Sequence, residues 1–176
     1  LSVAPDPRVK LADDVYAQQF AFAREIETAE LRLAGAQSEA KNLHASLAKE
    51  RAAAAANAEL VAAIDAFDAE VVARSGIVDS GNPHNAWALP PTSTSSLRFI
   101  GESLEKLVAA ADGADAAPTP DARAGYAATM PMLERSLAAW SDTKTTKLAV
   151  LNARLKAAGR KAISPEEPAA KSAKKN

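Results

Sequence analysis

The stretch Val15-Tyr-Ala-Gln-Gln-Phe20-Ala-Phe22-Ala-Arg-Glu-Ile26-Glu-Thr-Ala29-Glu-Leu-Arg-Leu33-Ala-Gly-Ala36-Gln-Ser-Glu-Ala40-Lys-Asn-Leu43-His-Ala-Ser-Leu47 decides the fold. Val15, Phe22, Ile26, Ala29, Leu33, Ala36, Ala40, Leu43 and Leu47 recur at steps of three, four or seven, which stacks them on one side of a helix packed in a bundle. Asp13 is the expected N-cap, and Tyr16 and Phe20 are expected to widen the apolar face near its start.

Three further runs follow the same rule. Leu60, Ile64, Phe67 and Val71 form a second seam, with Gly76 placed to stop it in the left-handed conformation. A turn between the first two helices falls within Lys49 to Asn57, where the alanine run gives no punctuation. Leu97, Ile100, Leu104, Leu107 and Val108 form a third seam ended by Gly113. Thr119 then caps a fourth helix with Pro120 at its first position, where a missing donor costs nothing. That helix carries Tyr126, Met130, Leu133, Leu137, Trp140, Leu148, Leu151 and Leu155, and Gly159 closes it. Pro131 is expected to kink or interrupt it, and Thr143 to Thr146 form a second weak point.

The resulting expectation is an all-α, antiparallel four-helix bundle with two long and two shorter helices and a short extended N-terminal arm. Residues 1–10 are the arm or the end of a preceding strand-rich domain, since Pro5 and Pro7 favour extended backbone. Residues 11–160 form the bundle, with one long loop at 75–96, and 161–176 read as a basic low-complexity tail. Leu1 in place of Met suggests a processed protein or a piece of a longer chain, and no leader pattern is visible.

Composition narrows the function classes. The chain has 176 residues, enough for one domain with a real core. Alanine supplies about a quarter of it, consistent with helix. Lys and Arg total 21 against 22 Asp and Glu, a net charge of −1 that gives no electrostatic ground for binding nucleic acid. With no Cys there is neither a thiolate metal site nor a Cys nucleophile, and two His exclude a His-rich metal centre. No apolar run is long enough for a membrane span. No cofactor is expected.

Candidate chemistry dissolves on inspection. Di-iron bundles need Glu-x-x-His pairs, but Lys41 stands three before His44 and Gly81 three before His84. Ser-x-x-Lys occurs at Ser46/Lys49, Ser103/Lys106 and Ser141/Lys144, without the companion motifs of penicillin-binding enzymes. Glu25, Glu27 and Glu30, with Arg24 and Arg32, read as a solvated, ion-paired face. Asp112 and Asp115 read as complements to helix ends rather than a cation site. Trp140 belongs on the core seam. Trp87, with Pro90 and Pro91, either anchors the long loop or contacts a partner. Leu1 and Val3 in the arm and Lys171, Lys174 and Lys175 in the tail complete the candidate partner contacts. No catalytic, cofactor-binding or metal-binding residue is assigned.

Three stretches together resemble the C-terminal helical domain of bacterial sortilin-type (BNR-repeat, glycosyl-hydrolase-like) β-propeller proteins. They are Leu1-Ser-Val-Ala-Pro-Asp-Pro-Arg-Val9 with the later Gln19-Phe20 step, the pairs Asn82-Pro83 and Pro90-Pro91, and Leu104 to Asp115 with Pro118, Thr119 and Tyr126. The resemblance implies a non-catalytic appendage behind a propeller, in a periplasmic, extracellular or cell-envelope setting. It implies protein partners: the parent propeller, a neighbouring subunit or a larger envelope complex. The family's sugar-processing residues lie on the propeller, so none transfers here. The alternatives are an accessory domain of a glycoside hydrolase and a free-standing helical adaptor.

Overall fold

The computed structural model describes residues 11–77, 93–113 and 116–166. It is an all-α bundle of four helices, two long and two short. Helix α1 is Asp13–Ala53, α2 is Ala58–Ser75 and α3 is Leu97–Asp112. The fourth runs through α4 (Pro120–Asp142), a π turn (Thr143–Lys147) and α5 (Leu148–Ala157) without a break in the helical path. Among the described residues there is no strand, and Val3 lies outside them.

Cross-links fix the arrangement. Gln19 of α1 donates to the Ala111 carbonyl at 2.8 Å and Gln37 to that of Leu97 at 3.4 Å, so α3 runs antiparallel along the first half of α1. His44 meets Asp68 at 2.6 Å and Arg51 meets Asp65 at 2.5 Å, so α2 runs antiparallel along the second half. Helices α2 and α3 therefore lie end to end on one side of α1. Tyr126 reaches Glu25, Glu134 reaches Arg32, Lys144 reaches Glu39 and Arg160 reaches Glu50, so the fourth helix climbs parallel to α1. A cut across the rod meets three helices at either level. The 41 residues of α1 make it about 60 Å long.

The core follows the seams. Phe22, Ile26, Ala29, Leu33, Ala36, Ala40, Leu43 and Leu47 are all buried, as are Leu60, Ile64, Phe67 and Val71 of α2. Phe22 meets the Tyr126 ring edge-on at 5.6 Å, with the Arg123 guanidinium 5.3 Å from its own centroid.

The joint between α2 and α3 is tight. Gly76 adopts φ 73°, and a Cβ there would stand 2.8 Å from Cβ of Arg98. Ser96, fully buried, caps α3 by accepting from the Phe99 N–H at 3.2 Å. Ser136 of α4 donates to the Ser95 carbonyl at 2.9 Å, tying this waist to the fourth helix.

Several local expectations are corrected. Asp13 is the first helical residue rather than the N-cap; Ala12 holds that position and makes no side-chain cap, and the acidic Asp13 and Asp14 complement the helix dipole instead. Gly113 ends α3 where expected, with an ordinary φ of −70°, and a Cβ there would meet the Ala109 carbonyl at 2.8 Å, so space favours glycine. Pro131 is exposed and α4 continues through it, with Ala127, four residues back, also exposed. The lost backbone bond thus falls on the solvent side. The irregularity sits at Thr143–Lys147, where the Leu148 N–H donates five residues back to Thr143. Thr143 and Thr145 hydroxyls donate to the carbonyls of Ala139 and Ser141.

The chain stays on the bundle beyond residue 160. Asn152 donates to the Ile163 carbonyl at 2.9 Å and accepts from its N–H at 2.8 Å, while Ile163 and Pro165 are buried. Within the stretch read as tail, Ile163 and Pro165 thus pack on the bundle, because they supply apolar surface to bury.

Thr119 caps α4 as expected, accepting from the Ala122 N–H at 3.1 Å. Thr119→Ala is expected to cost about 1 kcal/mol and lower the melting midpoint by about 2–4 °C. A calorimetric scan checks it, and an unchanged midpoint would remove the cap's role.

Candidate interaction surface

Half-buried charged side chains join the helices. Glu39 of α1 accepts from the Trp140 indole at 2.8 Å and from Lys144 at 2.8 Å on each carboxylate oxygen. The π turn makes this possible: an extra residue in the turn brings Lys144 to Glu39 and lets Lys147 reach Glu70 of α2. Arg74 approaches the same Glu70 carboxylate at 3.7 Å. Among the described residues, no buried side-chain nitrogen or oxygen lacks a hydrogen-bond partner.

The residues weighed for chemistry fall into these pairings. His44 is bonded to Asp68, and no group of three His, Asp or Glu among the described residues is placed to hold a metal. Ser103 donates to the Phe99 carbonyl, and the Lys144 ammonium lies on Glu39 rather than on Ser141. Arg24 pairs with Glu27, and Arg32 binds both oxygens of Glu134 at 2.7 and 2.8 Å. The Arg32 bond holds the Glu134 carboxyl below its ordinary range and raises the guanidinium in turn. Because the folded value is depressed, this stabilisation is present at neutral pH and disappears as pH falls through it. Glu134→Gln is therefore expected to lower the urea midpoint slightly at neutral pH and not at all below the carboxylate range. An undiminished difference in acid would contradict the assignment.

Leu1, Val3, Trp87, Pro90, Pro91, Lys171, Lys174 and Lys175, the partner contacts expected from sequence, all lie outside the described residues, as does Asp115. Trp140 is in the core, 2% exposed.

The outer face of α1 is what the sequence reading missed. Phe20, expected on the buried face, is 69% exposed, and Leu31 is 68% exposed. Position 20 lies two residues before Phe22, about 200° around the helix, so the buried seam itself turns Phe20 outward. Ala17, Phe20, Arg24, Glu27, Leu31, Ala34 and Ser38 alternate in steps of three and four, and all are exposed. They form a second seam opposite the core. Beside it, Phe20, Val108 and Ala111 wall a groove of about 400 Å³ between α1 and α3, with Arg24, Glu27 and Asp112 at its edge. A third exposed apolar side chain, Val150, sits on a groove of about 330 Å³ between α2 and α5. Isolated apolar residues on a surface are ordinary; Phe20 and Leu31 are two large ones on one seam, and a groove lies beside them.

No helix among the described residues is long and apolar enough to cross a membrane. Compared with protein-family models, with curated proteins and with solved structures, the chain finds no match.

Proposed function

We propose that this chain is a non-catalytic helical interaction domain, a helical rod that presents the outer face of α1 to another protein. The exposure of Phe20 and Leu31 on one seam carries the reading. Burying each large apolar side chain is worth about 1.5–3 kcal/mol, and the seam leaves both in water. The half-buried charged groups support it, because they are taken up in helix-to-helix bonds such as that of Glu39 with Trp140 and Lys144.

The setting follows from the resemblance of its ends and turns to sortilin-type propeller appendages: a secreted or cell-envelope protein in which this rod stands behind a propeller and belongs to a larger assembly. The reading frame around residues 1–176 and assays on the purified chain test both parts. Strand-rich propeller repeats encoded before Leu1, and no glycosidic-bond cleavage by the isolated chain, are the expected results. Hydrolysis of glycosides by residues 1–176 alone would overturn the non-catalytic reading. A frame without propeller repeats would overturn the setting.

A further inference from the structure

We infer that the outer seam of α1 pairs antiparallel with the same seam of a second copy of this chain. The inference rests on the reading of an interaction domain and names its partner. Read in either direction the seam has one form: small, large apolar, charged, oppositely charged, large apolar, small. These are Ala17, Phe20, Arg24, Glu27, Leu31 and Ala34, all exposed. A two-fold axis between residues 25 and 26 sets Phe20 against Leu31 of the second copy, Arg24 against Glu27, and Ala17 against Ala34. Each contact then occurs twice, as a two-fold interface requires.

The charges decide the orientation. Arg24 and Glu27 already pair within one chain. Antiparallel docking joins two such pairs into a ring of alternating sign. Parallel docking in register would set Arg24 against Arg24 and Glu27 against Glu27, which is repulsive. The flanks agree, because an antiparallel pair sets each flank against the same flank of the second copy: Ala23 faces Glu30 and Ala21 faces Thr28, so no like charges meet. The groove walled by Phe20, Val108 and Ala111 receives Leu31 of the second copy as a knob.

One helix pair buries less than the roughly 1,200 Å² of a standard interface, so the dimer is expected to be concentration-dependent. Sedimentation of the full 176-residue chain, from roughly 1 µM to 1 mM, should show mass rising toward twice the monomer's 18.3 kDa. Leu31→Glu and Arg24→Glu should each remove the rise with helicity unchanged, and Arg24→Glu combined with Glu27→Arg should restore it. The chain has no cysteine, so disulfides report orientation cleanly. Ala17 and Ala34 lie about 25 Å apart along one helix, beyond disulfide reach, so a bridge in Ala17→Cys/Ala34→Cys joins two copies. The double variant is expected to oxidise to a covalent dimer, and neither single variant to do so. A chain that stays monomeric throughout overturns the pairing, as does cross-linking by the single variants. Either result leaves the interaction-domain reading standing, whereas glycoside hydrolysis would sink that reading whatever the mass.

Discussion

Trp140→Ala is expected to destabilise the bundle by about 3–5 kcal/mol and to lower its melting midpoint by roughly 6–20 °C. Two losses combine. The ring is 2% exposed, so its removal forfeits its burial and leaves a cavity that α1 and α4 close only in part. The carboxylate of Glu39 also loses its indole donor, leaving Lys144 as its bonded partner. Trp140→Phe separates the two, since it keeps most of the volume and drops only the hydrogen bond, for about 1–3 kcal/mol. Urea unfolding of both variants gives the comparison. A Trp140→Ala midpoint within about 0.5 kcal/mol of the parent's stability would show that this contact is not part of the core.

Gly76→Val should be nearly as damaging, on the order of 3 kcal/mol, from two separable causes. At φ 73° a β-branched residue is strained by its own backbone, and its Cβ would collide with Arg98 Cβ at 2.8 Å and Ser96 Oγ at 3.0 Å. Gly159 provides the control. It has φ 72° but nothing within 4 Å of its Cβ position, so Gly159→Ala carries only the backbone cost of about 1 kcal/mol. Equal losses at the two sites would mean that the ends of α2 and α3 do not abut. Hydrogen exchange adds a local readout: Gly76→Val should loosen the first turn of α3, which Gly159→Ala leaves alone.

Much of this fold is legible in the chain because burial at a helix seam follows spacing alone. The four-three alternation from Phe22 to Leu47 marks every buried position of that run. Gly76, Gly159, Thr119 and Pro120 are readable because each answers a local backbone demand. Phe20 was legible too, since strict alternation backward from Phe22 turns it outward; treating the start of the helix as a wider apolar face hides it. The π turn leaves a trace in the step of five from buried Thr143 to buried Leu148, where a regular helix steps three or four. The end-to-end placement of α2 and α3 has no such trace. Each carries one apolar stripe, and a stripe specifies that a helix packs, not which half of α1 receives it. The docking of Ile163 depends on Asn152, eleven residues away, a pairing that periodicity does not encode.

The meeting of α2 and α3 at Gly76 and Ser96 has a mechanical consequence. A three-strut beam spliced in one strut resists bending well while the other two run whole past the splice. Here the π turn interrupts the second strut within a few turns of that splice, since its Lys147 already reaches Glu70, one and a half turns before the end of α2. Among the described residues, α1 alone passes this level as regular α-helix, and it does so on the small residues Gly35, Ala36 and Ala40. Flexure of the rod is therefore concentrated at its middle. The two halves then flex about α1 and the π turn beside it, at the level where Glu39 grips Lys144.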